Sequence, residues 1–372
     1  MTNSDIPDSV QGWRPAPDCR TLIANGQRGS GWTGEGMRSV QRRGGQLVAG
    51  LVAGLPLLAV TAPPVAAAPP VATSPGPGDA IRARLDDPGL RAPPRRFAPA
   101  VWLAKRESYG PMSSHTFIDE SALRWSHDSG CADDRIDRTP SEARMAGRDG
   151  VYRHRGKEAW YNGCDHEGRL YRSDEWTPPR RGSVADENEG FFLNLADRRR
   201  DGGGIGSPTY VQRVGRHGRT LLYWFLYGWN AAIKGANHEG DWERIAIRRG
   251  SEGRPRKVTF WRHTGPCYLP WQRVYKVRGH PVVFSAEGTH ASYARAGKHK
   301  VVLDGLPDWT DHASRGARWK TWRNLDRVGL QAWWGYGGAW GEVGEYGATS
   351  GPGGPSPARA NPTSGVFTDN RC

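Results

Sequence analysis

Asn237, His238, Glu239, Asp241 and Glu243 put five side chains able to bind metal or move protons into the start of NHEGDWERIAIRR, residues 237–249. Metal ligation, acid–base catalysis or a merely polar start to a strand would each use such a run. Residues 241–249 alternate, with Glu243, Ile245 and Ile247 on one face and Arg244, Ala246 and Arg248 on the other, the period of a half-buried strand. In that geometry Asp241 and Glu243 share a face with Cα atoms about 7 Å apart, close enough for their oxygens to hold one cation. His238 falls in the preceding turn, where it can fold back over the pair, and Gly240 permits that tight approach. The same face runs on into Ile245 and Ile247, so the carboxylates stand at the mouth of an apolar interior. Unpaired charge there is costly, and a cation or an arginine must compensate it. The alternative is a structural carboxylate pair bound by arginines and backbone amides. A zincin is excluded, because His-Glu-x-x-His needs a second histidine where Trp242 stands.

The elements that must position these groups read as strands. TLLYWFLYGWN (220–230) is an aromatic, β-favouring run that ends at Asn230, which either lines the site or closes a turn. KVTFWRH (257–263), HPVVFSA (280–286) and KHKVVLD (298–304) resemble it, and Gly, Asn, Asp and Pro punctuate them as turns require. Helical stripes are scarce. The expected fold is all-β, an antiparallel β-sandwich with long decorated loops. Trp242 and the aromatics of 223–229 are expected in the core. DGGGIGSP (201–208) precedes no helix and reads as a flexible loop rather than a phosphate cradle. The acidic run DENEG (186–190) reads as a solvated loop.

Of the 372 residues, a single domain is expected over 97–357, followed by a tail over 358–372. Residues 37–67 have the three parts of a secretory signal: Arg38, Arg42 and Arg43, then an apolar run from Leu47 to Val60, then Val65-Ala66-Ala67 as the small-x-small cleavage pattern. The apolar run is too short to span a bilayer comfortably, so no transmembrane segment is expected in the mature chain. Residues 1–36 then read as an upstream start, and the Pro- and Ala-rich 68–96 as a linker. The expected location is secreted, and the cysteines agree. Cys131, Cys164, Cys267 and Cys372 allow two disulfides, Cys131–Cys164 and Cys267–Cys372 being preferred because the first pair is closest in sequence. The net charge of +14 invites nucleic acid as a partner, but the arginines are scattered and no recognition motif accompanies them. Nucleic acid is therefore discounted.

Several ordered motifs carry a family resemblance. FAPAVWLAKRESYGPMSSHTFI (97–118), YWFLYGWN (223–230), HEGDWERIAIR (238–248), VVFSAEGTHASY (282–293), WGYGGAWGE (334–342) and SGPGGP (350–355) together resemble the family of vacuolar protein sorting-associated protein 62, a largely uncharacterised group. Thr289 replaces a serine usual there. More distantly, the Asp-Trp-Glu strand is similar to that of the necrosis- and ethylene-inducing-like secreted proteins. That second likeness implies a divalent cation on a β-sandwich, with His238, Asp241 and Glu243 as metal side chains and His290 as a neighbour. Glu239-Gly240 departs from that family's Arg-His, which sets the same coordination and any cytolytic activity aside.

Oxygen ligands outnumber nitrogen here and no thiolate is near, so Mg²⁺ or Ca²⁺ is expected over Zn²⁺. Two function classes follow: a cation-containing module that recognises a glycan or lipid headgroup at a surface, and a metal-dependent extracellular hydrolase with Glu243 as base. No nucleophile elbow or triad order favours the hydrolase, and the binding module is preferred.

Overall fold

A computed structural model of the chain describes residues 94–127, 131–158, 164–179, 189–232, 236–303, 307–344, 349–357 and 365–372. The expected upstream start, the signal and residues 68–93 of the linker lie outside the described residues, as does 358–364 of the tail.

The described chain is dominated by strands, and the expected all-β, sandwich-like architecture holds. Its centre is a six-stranded sheet ordered Gly265–Pro270, Pro255–Arg262, His238–Arg249, Thr220–Asn230, Thr209–Val214 and Leu325–Arg327. The five strands from Thr209 to Pro270 form an antiparallel meander, each joined to the next in sequence. A five-stranded sheet contains Ala100–Trp102, His280–Ser285 and Arg318–Lys320, and a four-stranded sheet contains Ala339–Trp340, Gly190–Leu195, Ser121–Ser126 and Asp134–Asp137.

Period-two alternation assigns the two faces of the central sheet. Leu222, Trp224, Leu226, Trp242 and Ala246 pack with Leu123, Trp125, Phe191 and Leu193 of the four-stranded sheet. Tyr223, Phe225, Tyr227, Ile245 and Ile247 pack with Val101, Val283 and Trp319 of the five-stranded sheet. The central sheet is thus covered on both faces. That is why Thr220–Asn230 reads as a continuous apolar run rather than an alternating one. Each large side chain so buried contributes about 1.5–3 kcal/mol.

Two features differ from the expected antiparallel sandwich. Among the described residues three strand-to-strand pairings are parallel: Ala100–Trp102 with His280–Ser285, Leu325–Arg327 with Thr209–Val214, and Ala339–Trp340 with Gly190–Leu195. Each joins strands distant in sequence, so no hairpin imposes an antiparallel direction. The second is Gly240, which sits inside the strand rather than in a turn before it. Its φ of +60° is left-handed, and a Cβ there would lie 2.0 Å from the Trp340 carbonyl oxygen. Strict alternation would put Glu239 and Asp241 on one face. Across this kink they reach opposite layers: Glu239 accepts from the Leu195 amide in the four-stranded sheet, and Asp241 meets His290 beside the five-stranded one.

Both expected cysteine pairs are at disulfide distance, with S–S separations of 2.00 Å for Cys131–Cys164 and 2.10 Å for Cys267–Cys372. Cys372 fastens the end of the chain to the body. Its amide donates to the Tyr268 carbonyl, and the Tyr268 amide donates to Asn370.

Candidate functional site

The carboxylates of the 237–249 stretch take partners from the protein itself. Asp241 is buried, and its Oδ2 lies 2.9 Å from Nδ1 of His290. The other imidazole nitrogen, Nε2, lies 3.0 Å from the Tyr109 carbonyl and 3.5 Å from Glu107. Each nitrogen therefore faces an acceptor, and only the imidazolium can donate to both. Burial alone would lower the His290 pKa, but the Asp241 and Glu107 carboxylates overcome it and raise it to about 9. The ring is clamped by Tyr227, stacked 3.8 Å away at 7°. Burial raises the Glu107 pKa, yet hydrogen bonding to His290 and the amides of Gly288 and Tyr109 brings it below its ordinary value. His290 itself has a left-handed φ of +54°.

The other groups of the stretch go elsewhere. His238 lies within the strand, paired with Asn230, and its Nδ1 is 2.7 Å from the Gly240 carbonyl of its own backbone. Asn230 is buried, and its amide donates to the Ala236 carbonyl at 3.0 Å, which is the turn-closing role. Glu239, not among the expected ligands, ties three segments together by accepting from the amides of Leu195 and Glu342 and from Arg200. Burial pushes its carboxyl up to about 6 against the pull of Arg200. The expected ligand set is not assembled: among the described residues, the His, Asp and Glu side chains whose ligand atoms gather within 4.8 Å are His127, Asp134 and His166, not His238, Asp241 and Glu243. The kink at Gly240 is the physical reason, since it removes the turn that would have folded His238 over Asp241.

Glu243 remains. Burial drives its pKa well up and the Asp241 charge adds to this. Among the described residues no ion pair reaches it. It lines a cleft of about 590 Å³ with Trp176, Trp224, Trp242, Trp261, Arg244 and Glu189. The cleft opens beside the end of one ladder: His238–Arg249 pairs with Pro255–Arg262 as far as Ile245–Phe260, and Glu243, Arg244, Trp261 and Arg262 lie beyond that last pair. Trp176 and Trp261 are half-buried. Arg244 lies between Trp224 and Trp261, its guanidinium 4.9 and 4.6 Å from the two ring centroids. Such an arrangement can stack a planar or ring-shaped ligand and orient it through carboxylate and guanidinium groups.

The sequence signals alone missed this cleft. Six separate segments build it, and the acidic run at 186–190 read as a solvated loop whereas Glu189 is buried. The available clue was the density of tryptophan, 17 residues in the whole chain.

No protein-family model matches the chain, and no solved structure matches it. A stretch of 120 residues is 29% identical to vacuolar protein sorting-associated protein 62 of Saccharomyces cerevisiae, covering 26% of this chain and 25% of that protein. The two proteins are distantly related over that stretch, and the match spans a quarter of the relative's length. Among the described residues no helix is long and apolar enough to cross a membrane.

Proposed function

We propose that this chain is an extracellular protein of the vacuolar protein sorting-associated protein 62 family that binds a glycan segment in the tryptophan-lined cleft. The observation that carries the reading is the half-buried pair Trp176 and Trp261 beside a stacked Arg244 and the carboxylates of Glu189 and Glu243. Exposed indole faces stack on the C–H faces of sugar rings, while carboxylates and guanidinium groups accept and donate to hydroxyls. Arg244 and Arg262 share the lining with Glu189 and Glu243, so the cleft offers both donors and acceptors to hydroxyls, which suits a neutral glycan. The two disulfides support an extracellular location. A hard cation at Asp241 has no part in this reading, because His290 already supplies the compensating positive charge.

Isothermal titration with neutral hexasaccharides of glucose, xylose and N-acetylglucosamine tests it. At least one should bind, and Trp176→Ala and Trp261→Ala should each weaken it about threefold to tenfold, the scale of one stacking contact. Absence of binding across the set, or variants that bind as the wild type does, would overturn the reading. Binding to anionic vesicles in place of the saccharides would do the same.

One observation favours a hydrolase as the second reading. Burial and the Asp241 charge raise the Glu243 carboxyl well above its ordinary value, which favours the protonated form a general acid needs. Cleavage of the bound hexasaccharide that disappears in Glu243→Gln would establish it, and an intact saccharide after long incubation would dismiss it.

A further inference from the structure

At one end of the four-stranded sheet, three histidines surround one carboxylate oxygen. Asp134 Oδ2 lies 2.8 Å from Nε2 of His127, 3.2 Å from Nε2 of His154 and 3.7 Å from Nε2 of His166. We propose that His127, His166 and Asp134 bind a divalent transition metal of the zinc class, with His154 held against the same carboxylate.

The local sequence brings the groups together without a metal motif. His127 follows the strand Ser121–Ser126, Asp134 opens the neighbouring strand Asp134–Asp137, and His154 lies in the short strand Arg153–Arg155. His166 comes two residues after Cys164, and the Cys131–Cys164 disulfide ties its segment to the one that joins His127 to Asp134. The Trp125 ring, stacked 4.8 Å from His154 at 21°, fixes that imidazole.

Distances and proton counting both point to a cation. Ligands bound tetrahedrally at about 2.0–2.1 Å stand about 3.3 Å from one another, which is the scale of the three contacts to Asp134. Hydrogen bonds to Asp134 from neutral rings leave the site short of partners. If each Nε2–H donated to Asp134 from a neutral ring, the Nδ1 atoms would be bare acceptors, and those of His127 and His154 are buried with no hydrogen-bond partner. For His127 the nearest carboxylate to Nδ1 is Glu189, at 3.5 Å, so a bare acceptor would face another acceptor. With Nε2 on a metal, the proton moves to Nδ1 and points at Glu189, the carboxylate–histidine–metal arrangement that orients a ligand ring. Neutral imidazoles, two carboxylates and one dication then sum to zero charge at a buried histidine. Imidazole-rich donors select zinc-class ions over Mg²⁺ or Ca²⁺, the reverse of what the 237–249 stretch suggested. His166 is 48% exposed, which leaves an approach from solvent. Glu189 also lines the tryptophan cleft, so the metal would steady one wall of it.

The test uses tag-free, disulfide-intact protein stripped with EDTA and titrated with ZnCl₂ alone, alongside His166→Ala and Asp134→Asn. Wild type should take up one Zn²⁺ per chain, and its melting temperature should rise with added Zn²⁺. His166→Ala should remain folded, because its side chain is half exposed, and should bind at least about tenfold more weakly with no Zn²⁺-dependent rise. His238→Ala should bind as the wild type does. Wild type that takes up no Zn²⁺, or uptake unchanged in both His166→Ala and Asp134→Asn, would overturn the proposal. Saccharide binding is measured separately, so failure of either idea leaves the other readable.

Discussion

Asp241 and Asp134 each meet histidine, and the numbers of donors and acceptors around them separate a lock from a ligand site. At Asp241 one imidazole serves two acceptors, both ring nitrogens are used, and Tyr227 covers the ring. At Asp134 three imidazoles converge on one oxygen, while the far nitrogens of two of them have no hydrogen-bond partner. The same residue types therefore close one region and leave the other with coordinating capacity. Burial alone would have misled, since the more deeply buried carboxylate is the one already satisfied.

The largest effect should come from breaking the lock. Asp241→Asn removes the nearer of the two carboxylates that hold the buried His290 cation and should cost about 3–5 kcal/mol in denaturant unfolding. The penalty should depend on pH. The folded pKa of His290, about 9, lies above the ordinary 6.5. Its contribution is therefore complete below about pH 6.5 and is lost as pH rises through about 9, a total of about 3 kcal/mol. Melts at pH 6 and pH 10 should show the gap between wild type and Asp241→Asn closing at the higher pH.

Gly240→Ala comes next, at about 2–4 kcal/mol, because the methyl group meets the Trp340 carbonyl and the left-handed backbone disfavours it. Unfolding midpoints of that variant against Gly250→Ala, whose clash is with flexible side chains, sharpen the point. Replacing Cys131 and Cys164 together by serine should cost about 2–4 kcal/mol. Hydrogen exchange should then loosen the segments carrying His127, Asp134 and His166 while leaving the Thr220–Asn230 strand protected. His238→Ala should be the mildest, about 0.5–1.5 kcal/mol, since it removes only a hydrogen bond to its own strand. A loss as large as that of Asp241→Asn would show that His238 serves more than its own backbone.

Much of the scaffold was legible in the residues. The alternation Glu243-Ile245-Ile247 does mark one face, and Ile245 and Ile247 are fully buried on it. The aromatic run 220–230 is core, and both cysteine pairs match their expected partners. Local pattern carried these because period-two packing and loop closure are written in neighbouring residues. The Gly240 kink was not legible, since it is imposed by the Trp340 backbone, distant in sequence. The parallel strands likewise come from chain segments far apart. His290 was legible as a neighbour of Asp241, but its grip by Glu107 and Tyr109 needed the third layer. The histidine cluster and the tryptophan cleft were invisible for the same reason: each assembles residues from separate segments, and no spacing within any one of them signals the result.

The most direct test of the lock at Asp241 is a nitrogen-detected NMR titration of the His290 imidazole in the wild type and in Asp241→Asn. The structure predicts a doubly protonated ring at pH 7 that loses its proton near pH 9 in the wild type, and markedly lower in the variant. A His290 ring already neutral at pH 7 in the wild type, or a titration midpoint unmoved by Asp241→Asn, would contradict it.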